Sequence, residues 1–402
     1  MTLPSLHGHE IFETPGLHSV FQAISSAGGE ARIVGGAVRN ALLGEQVHDI
    51  DMATTLTPEQ VVAAARAAGL KTVATGIEHG TVTVISDSNG FEVTTLRHDV
   101  ETDGRKARVA FTDDWAADAA RRDFTLNALY CSPEGEVFDP VGGLGDLSTR
   151  MVRFVGDPEA RIQEDYLRIL RFFRFVSQYG QGEVDADGLT ACTQLQDGLK
   201  QLSRERVGQE TCKLLFGRRA GDVAVLMNEA GINRTLFGTD MDAELLVSVI
   251  ALAGSLGFTP DYTTLLAAAL PLAADEQSEQ LRLSNAQTRS LNDVQSAMPP
   301  SPALRDNERK VVLYQTGADT WKRAVLLAWA HDKKTGDEGW ARLYQLPDEW
   351  DVPVFPVTGA DVLATGMQAG PQVGETLKAL EDWWIAGGFT ASREELLARL
   401  TA

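Results

Sequence analysis

Residues 31–54 read ARIVGGAVRNALLGEQVHDIDMAT, and this stretch decides the fold. Residues 31–34 end in two β-branched side chains and predict a short buried strand. The glycine pair at 35–36 predicts a tight turn, and residues 37–43 predict a helix that ends at the next glycine. Residues 48–53 predict a second short strand. The order of strand, glycine turn, helix and strand indicates a small α/β unit near the amino end.

The β pattern continues outward from this stretch to about residue 150. Residues 81–85 and 91–96 are rich in β-forming side chains. Between them, Asn89-Gly90 is a strong signal for a hairpin turn. Residues 98–109 are polar and predict a mobile loop. The amino-terminal part is therefore expected to be a mixed sheet with helices.

The remainder of the chain is predicted to be helical. Asp157-Pro158 is a typical helix start, and one long helical pattern runs from there to Gly180. A chain of 402 residues is too long for a single core. We therefore predict an α+β protein with a catalytic head at 1–150, a helical neck at 151–270 and a helical body and tail at 271–402.

Composition excludes several classes of protein. No apolar run reaches the ~18 residues that a membrane span requires, and the amino terminus carries no secretory pattern. The three cysteines are widely spaced and form no CxxC pair, so neither a disulfide framework nor a zinc ribbon is supported. A cytoplasmic location is expected because free cysteines suit a reducing compartment.

The net charge of −20 is unusual for a protein that binds nucleic acid. The charge is unevenly distributed, because residues 151–220 carry 11 basic and 10 acidic side chains. The segments before and after it are both strongly acidic. If nucleic acid binds, the local field of this middle segment matters more than the total charge.

Asp49-Ile50-Asp51 is the first motif with chemical meaning. Carboxylates two residues apart on a strand point to the same face. Mg²⁺ prefers carboxylate and phosphate oxygens, and phosphoryl transfer depends on cations that align the attacking group and neutralise the phosphates. The motif predicts a two-metal site, although the same pattern also occurs in solvated turns.

Two further motifs can contact a nucleotide. The glycine turn offers backbone amides at a helix start, where phosphates bind, and Arg39 lies one turn into that helix. Residues 121–125 read RRDFT, in which an arginine can meet a triphosphate and the aspartate a ribose hydroxyl. Each motif also has a structural interpretation, as a close-packed turn and as a charged helix end.

Residues 164–175 read EDYLRILRFFRF and predict a helix with two unlike faces. At about 100° per residue, Arg168, Arg171 and Arg174 share one arc, and Asp165 borders it. The opposite face is apolar. Such a stripe often only forms surface salt bridges, yet Arg and Asp together also supply the donors and acceptors that read a base edge.

The motif order GGAVRNALLG, DID, RRDFTLNAL, DPVGGLGDL and EDYLRILRFFRF closely resembles that of the class II tRNA nucleotidyltransferases (the CCA-adding enzymes) and of the related bacterial poly(A) polymerases. The resemblance is dense over residues 31–180 and weaker over 356–380. It implies a polymerase-β-like head followed by helical neck, body and tail. It also implies that the enzyme joins CTP and ATP to the 3′ end of tRNA with two Mg²⁺ ions. The sequence shows no sign of a membrane or of a protein partner.

The resemblance implies a role for each matching residue. Asp49 and Asp51 match the metal ligands, and Glu92 matches a third catalytic carboxylate. The nucleotide-contacting positions are Gly36, Arg39, Arg122 (triphosphate), Asp123 (ribose), Asp165 and Arg168 (incoming base), Arg171 and Arg174. Residues 139–147 match a hinge between head and neck. Asn40 and Val141 depart from the usual Asp and aromatic residue, which affects only the hinge and packing inferences.

Other functions stay open at this point. Within the family they are A-only addition, CC-only addition and poly(A) synthesis. The segment 98–109 favours CCA or A addition, and the absence of a long basic tail argues against poly(A) synthesis. Outside the family they are a metal-dependent phosphohydrolase, for which His331-Asp332 lacks a second His cluster, and a non-catalytic RNA-binding module, which would not need the intact carboxylates.

Overall fold

The computed structural model describes residues 4–76, 80–103, 106–297, 301–332 and 337–401. The chain divides into two compact units, Met1–Met241 and Asp242–Ala402. The described strands all belong to the first unit and are followed by helices, so the predicted α+β class is confirmed. The division into head, neck, body and tail stays a prediction.

A seven-stranded mixed sheet forms the base of the first unit. The described strands are β1 (Ala31–Val34), β2 (Asp51–Thr54), β3 (Lys71–Gly76), β4 (Thr81–Ser86), β5 (Asn89–Thr95), β6 (Arg97–Asp103), β7 (Lys106–Phe111), β8 (Tyr130–Cys131) and β9 (Val137–Phe138). The sheet has the order β3-β4-β5-β2-β1-β8-β9, and β6 and β7 form a separate pair. Because β2 and β5 pair in parallel, Asp51 lies directly opposite Glu92.

Helices of the first unit cover the sheet and then continue beyond it. In chain order they are α1 (Leu17–Ser26), α2 (Gly36–Leu43), α3 (Pro58–Ala67), α4 (Trp115–Ala120), α5 (Gly143–Thr149), α6 (Pro158–Glu164), α7 (Leu167–Tyr179), α8 (Ala186–Gln194), α9 (Arg204–Leu215), α10 (Ala220–Glu229) and α11 (Ile232–Phe237). Phe124 packs against Phe154 and Phe175, with ring centroids 4.9 and 5.1 Å apart. These fully or nearly fully buried rings anchor α7 to the segment that follows α4.

The stretch that opened the sequence analysis folds largely as predicted. β1 and α2 are confirmed, and the helix ends at Gly44 in the left-handed conformation. The second strand begins at Asp51 rather than at residue 48. Asp49 therefore precedes the strand, because only from Asp51 onward does the chain have β5 beside it as a hydrogen-bonding partner.

Two β predictions need correction. The hairpin between β4 and β5 is present, but its turn residues are Asp87 and Ser88, both with positive φ, and not Asn89-Gly90. Asn89 is held in the strand because its side-chain amide donates to the Pro15 carbonyl at 2.9 Å. The predicted loop at 98–109 is wrong as well, because β6 and β7 pair as an antiparallel ribbon there. An antiparallel pair is held by hydrogen bonds between backbone groups, which a polar sequence can form without the apolar alternation that usually reveals a strand.

The single long helix predicted over 157–180 is also wrong. Asp157 caps α6, as expected from the Asp-Pro pair, but the helix stops at Asp165, whose φ and ψ are −157° and 106°. α7 then begins at Leu167, and its amide donates to the Asp165 carboxylate at 3.0 Å. An acidic side chain that captures a backbone amide offers the chain an alternative to the helix, which accounts for the break.

Ten described helices form the second unit. They are α12 (Ala243–Ser255), α13 (Tyr262–Ala269), α14 (Ala274–Leu281), α15 (Asn285–Ser296), α16 (Asp306–Thr316), α17 (Ala318–His331), α18 (Asp337–Glu349), α19 (Gly359–Ala364), α20 (Pro371–Ala386) and α21 (Arg393–Thr401). Trp321 and Trp340 are buried in one of its apolar clusters, and Trp384 is buried in another. Among the helices that the structure describes, none has the length and apolar character needed to cross a membrane.

Candidate active site

The glycine turn between β1 and α2 requires glycine at its first position. Gly35 has φ 68° and ψ −122°, a conformation that only glycine adopts without strain. A Cβ atom at Gly35 would lie 3.7 Å from Nη1 of Arg122, so this arginine rests against the turn. Gly36 is the first residue of α2, and its amide belongs to the helix end where phosphates bind.

Three carboxylates gather at the start of β2. Asp51 and Glu92 are directly opposed and exposed, and Asp49 lies two residues before Asp51. Protein atoms around the Asp51 carboxylate desolvate it and raise its pKa, although the residue keeps exposed surface. The negative charges of Glu92 and Asp49 raise that pKa further, and Arg122 opposes them only in part. The site therefore holds negative charge that the protein does not fully compensate.

These residues fit a divalent cation that is shared with a phosphate group. In the described part of the chain, no three acidic, histidine or cysteine side chains are close enough to hold a metal ion by themselves. Mg²⁺ in phosphoryl-transfer sites commonly binds through one or two carboxylates together with substrate phosphates. The mutual repulsion at Asp51 is what a bound cation would relieve, so Asp49 and Asp51 suit this role.

Arg122 is held by a buried group that the sequence analysis missed. Asp118 on α4 accepts from Arg122 at 2.9 Å and from the Tyr130 hydroxyl at 2.7 Å, and it pairs with Arg121 at 2.7 Å. Burial alone would raise the pKa of Asp118, but the charges of Arg122 and Arg121 and the Tyr130 hydrogen bond outweigh burial and lower it. Asp118 could have been found in the sequence, because it lies one helical turn before Arg121 and Arg122.

Replacing Asp118 by asparagine is expected to destabilise the protein by about 2 kcal/mol at neutral pH, because a charge-assisted hydrogen-bond network is lost. The folded-state pKa of Asp118 lies below the unfolded value of about 4. Its stabilisation is therefore complete above about pH 4 and is lost as the pH falls through the folded pKa. Urea unfolding of both proteins at several pH values measures this, and a constant difference down to low pH would contradict it.

Asp123 connects the RRDFT motif to α7. Its carboxylate accepts from Nε of Arg171 at 2.8 Å, from the Asn127 amide at 3.0 Å and from the Phe124 backbone at 2.9 Å. Burial alone would raise the pKa of Asp123, but Arg171 and these hydrogen bonds lower it. The residue is thus held ionised, with both oxygens already in contact with protein donors.

Arg39 is buried and continues the same network. Its guanidinium donates to the side chains of Asn127 and Asn40 and to the Tyr179 hydroxyl, the last at 2.8 Å. It also stacks on the Tyr179 ring, 3.9 Å from the centroid. Desolvation lowers the pKa of Arg39. In this structure Arg39 ties α2 to α7, and its predicted nucleotide contact stays a prediction.

Arg174 and Arg171 share a partner on α9 that the sequence analysis also missed. Glu210 lies 2.6 Å from Arg174 and 4.0 Å from Arg171. Desolvation lowers the pKa of Arg174, and Glu210 partly opposes that effect. Acidic and basic side chains therefore alternate along a chain of contacts that runs from Asp123 through Arg171 and Glu210 to Arg174.

Asp165 and Arg168 are not paired with each other. Asp165 accepts from Arg206 of α9 at 2.6 Å. Arg168 binds the Glu164 carboxylate and donates to the Arg161 carbonyl at 2.8 Å. Both predicted base-selecting groups thus have protein partners, which a base edge would have to share or displace. Arg206 could have been found in the sequence, because it lies four residues before Glu210 and therefore on the same face of α9.

The segment predicted as a hinge is ordered around two aspartates. Asp139 accepts from the amides of Gly143 and Leu144 at 2.7 and 2.9 Å and so starts α5. Asp146 accepts from the Thr125 hydroxyl at 2.7 Å. These contacts tie the segment to the end of the RRDFT motif, and its role as a hinge stays a prediction.

Known proteins match this chain over nearly its whole length. Residues 31–153 match the family model of the Poly A polymerase head domain. Over 413 aligned positions the chain is 35% identical to the mitochondrial CCA tRNA nucleotidyltransferase 1 of Mus musculus, covering 99% of this chain and 92% of that protein. It is 32% identical to the CCA-adding enzyme of Levilactobacillus brevis, covering 95% and 96%. The structure of the Bacillus stearothermophilus CCA-adding enzyme in complex with CTP matches with a TM-score of 0.77 at 29% identity, covering 95% of each chain.

Proposed function

The chain belongs to the family of the CCA-adding tRNA nucleotidyltransferases, and we propose that it adds C, C and A to the 3′ end of tRNA from CTP and ATP. The resemblance drawn from motif order is thereby confirmed. The observation that supports the activity most directly is the group of Asp49, Asp51 and Glu92 near Arg122 and the glycine turn. A protein that only bound RNA would gain nothing from carboxylates that repel one another.

In the proposed reaction, the 3′ oxygen of tRNA attacks the α-phosphorus of the nucleotide, and the bond to pyrophosphate breaks. Asp49 and Asp51, with Glu92 beside them, would hold two Mg²⁺ ions, which supply the charge that orients the hydroxyl and stabilises the leaving pyrophosphate. Arg122, which Asp118 holds beside the glycine turn, would contact the triphosphate. No covalent bond to the enzyme forms, so positioning and charge are the protein's contribution.

Nucleotide choice is assigned to Asp165 and Arg168. Cytosine and adenine both present an exocyclic amino donor, whereas uracil presents a carbonyl oxygen at that place. A carboxylate accepts from the amino group, and an arginine donates to the neighbouring ring nitrogen. Asp165 accepts from the first amide of α7, Arg168 lies in the first turn of that helix, and Arg171 of the same helix holds the proposed ribose contact Asp123. Base and sugar would thus be read by groups that one helix positions.

The direct test is incubation of the protein with a tRNA transcript that lacks its 3′ CCA and with each nucleotide in turn. We expect CTP alone to extend the RNA by two nucleotides, ATP to add a third only afterwards, and UTP and GTP to be excluded. A gel that resolves single nucleotides measures this. Extension by A alone, by CC alone or by a long A tail would replace CCA addition by the corresponding activity within the family.

We propose that the protein is located in the cytoplasm, which is a reducing compartment. The three cysteines are free, and Cys131 and Cys192 are buried. Burial raises the pKa of Cys131 to about 12 and that of Cys192 well above its usual value. Such thiols are poor nucleophiles at neutral pH. Free buried thiols support a protein that folds without disulfides.

A further inference from the structure

The last turn of α9 and its connection to α10 present three basic side chains and an exposed aromatic ring. We call Lys213, Phe216, Arg218 and Arg219 the basic turn. Phe216 is 52% exposed and the Arg218 side chain is 65% exposed. Residues 211–221 contain no acidic side chain, in a protein whose net charge is −20. Arg219 pairs with Asp222 at 3.2 Å, so Lys213 and Arg218 are the basic side chains that the turn offers to a partner.

The backbone of the basic turn is fixed to the end of α7. The amide of Arg219 donates to the Ser177 carbonyl at 3.0 Å, and the Gln178 side chain donates to the Lys213 carbonyl at 3.1 Å. A Cβ atom at Gly217 would lie 2.0 Å from the Ser177 hydroxyl oxygen, so only glycine allows this close approach. A surface held in this way loses little conformational entropy when it binds a partner.

An ion-pair bridge joins the basic turn to the segment that leads into the carboxylate site. Arg218 and Arg150 lie 2.9 and 3.0 Å from the same carboxylate oxygen of Glu45. Glu45 follows the end of α2 and precedes Asp49 by four residues. The turn also lies about 14 Å along α7 from Arg168, at ~1.5 Å per helical residue. The shared Glu45 carboxylate thus connects the basic turn and Arg150 to the segment that precedes Asp49.

We propose that the basic turn holds the RNA strand that leads to the reacting 3′ end. This inference rests on the proposed function and adds a location for the RNA. Lys213 and Arg218 would contact phosphates, and the exposed ring of Phe216 would stack on a base or ribose. A basic surface with an exposed aromatic ring is the pattern of single-strand binding, since every base has a face on which a ring can stack. A negatively charged polymer is the partner that this charge pattern favours in an otherwise acidic protein.

Binding of the CCA-lacking tRNA transcript, measured by fluorescence anisotropy over a range of salt concentrations, tests the proposal. Lys213→Ala with Arg218→Ala should weaken binding at low salt and reduce the slope of log affinity against log salt by about 1.5, because each lost phosphate contact contributes ~0.7–0.9. Lys213→Ala alone, which leaves the bridge through Glu45 intact, should reduce the slope by about half as much. The matched control is Lys200→Ala, whose side chain is 64% exposed.

Phe216 is tested separately from the charges. Phe216→Ala should weaken RNA binding about tenfold with an unchanged salt slope, because stacking is lost without any loss of charge. Phe216→Trp should retain affinity, and Phe216→Leu should resemble alanine, because leucine is apolar but offers no flat face. CTP affinity in the absence of RNA should be the same in all these variants.

The outcomes separate this proposal from the proposed function. If the wild-type protein does not extend the transcript, the proposed function fails. If the wild-type protein extends it and the Lys213 and Arg218 variants bind RNA as the Lys200 control does, the basic turn is not an RNA contact. A parallel loss of CTP affinity would also overturn the proposal, because it would show that the turn supports α7 and not the RNA.

Discussion

Replacing Asp49 and Asp51 together by alanine is expected to abolish nucleotide incorporation, by about 10³-fold or more, while tRNA binding stays nearly unchanged. Metal-assisted phosphoryl transfer depends on cations whose charge stabilisation amounts to several kcal/mol, and these two carboxylates are the proposed ligands. Single-turnover incorporation of CTP into a CCA-lacking tRNA measures the first part. Anisotropy with the same RNA measures the second. Retained incorporation would remove both residues from the metal site.

The structure also predicts how the melting temperature changes in Asp51→Asn, a variant that keeps the shape of the side chain but removes its charge. The pKa of Asp51 is raised by burial and by the charges of Glu92 and Asp49, so its ionised form costs folding free energy at neutral pH. A neutral amide of the same shape removes that cost, and the melting temperature should rise while activity falls. Glu134→Ala, an exposed acidic control in the same unit, should change neither. A melting temperature that falls together with activity would indicate misfolding and would contradict the uncompensated charge.

Replacing Arg168 by alanine is expected to reduce discrimination of CTP and ATP against UTP about 100-fold, with a smaller effect on the choice between CTP and ATP, because the ring nitrogen that it would contact accepts a hydrogen bond in cytosine and adenine but carries a hydrogen in uracil. A well-placed donor pair contributes ~1–3 kcal/mol of discrimination between bases. Arg168 is held by Glu164 and by the Arg161 carbonyl, so its guanidinium occupies a defined position. The measurement is the ratio of kcat/KM for CTP to that for UTP on a tRNA without CCA, and of kcat/KM for ATP to that for UTP on a tRNA that ends in CC.

Two further variants locate the origin of that effect. Arg204→Ala, an exposed arginine at the start of α9, should leave nucleotide preference unchanged. Arg206→Ala should alter the preference in part, because Asp165 then loses the arginine that orients it. Unchanged preference in Arg168→Ala would remove this residue from base selection and leave the assignment with Asp165.

A network of ion pairs and hydrogen bonds connects α7 to the head, so substitutions in α7 should also affect the proposed nucleotide contacts of the head. Asp123 binds Arg171, Asn127 binds both Asp123 and Arg39, and Arg39 contacts Tyr179 near the end of α7. The proposed ribose contact and the proposed base contacts are therefore positioned by one helix. Removing one partner from such a buried set leaves the others unpaired, so its members should not behave additively in multiple variants.

Local sequence signals predicted local structure well. The β1 strand, the glycine turn and α2 could be predicted because each depends on neighbours within one turn of the chain. Asn89-Gly90 misplaced the hairpin turn, because Asn89 is held by the Pro15 carbonyl 74 residues away. The helix break at Asp165 was missed as well. Helical periodicity reports which face is apolar, and it does not report where a carboxylate captures a backbone amide.

The sequence by itself determined the family, the α+β class and the identity of the groups proposed to react, because motif order and spacing are properties of the chain alone. Only the tertiary structure decided how those groups are held. Tyr179 meets Arg39 across 140 residues, and Arg206 meets Asp165 across 41. A charged side chain pairs with the acceptor or donor that folding brings within reach, and no local pattern in the sequence encodes which distant residue that will be.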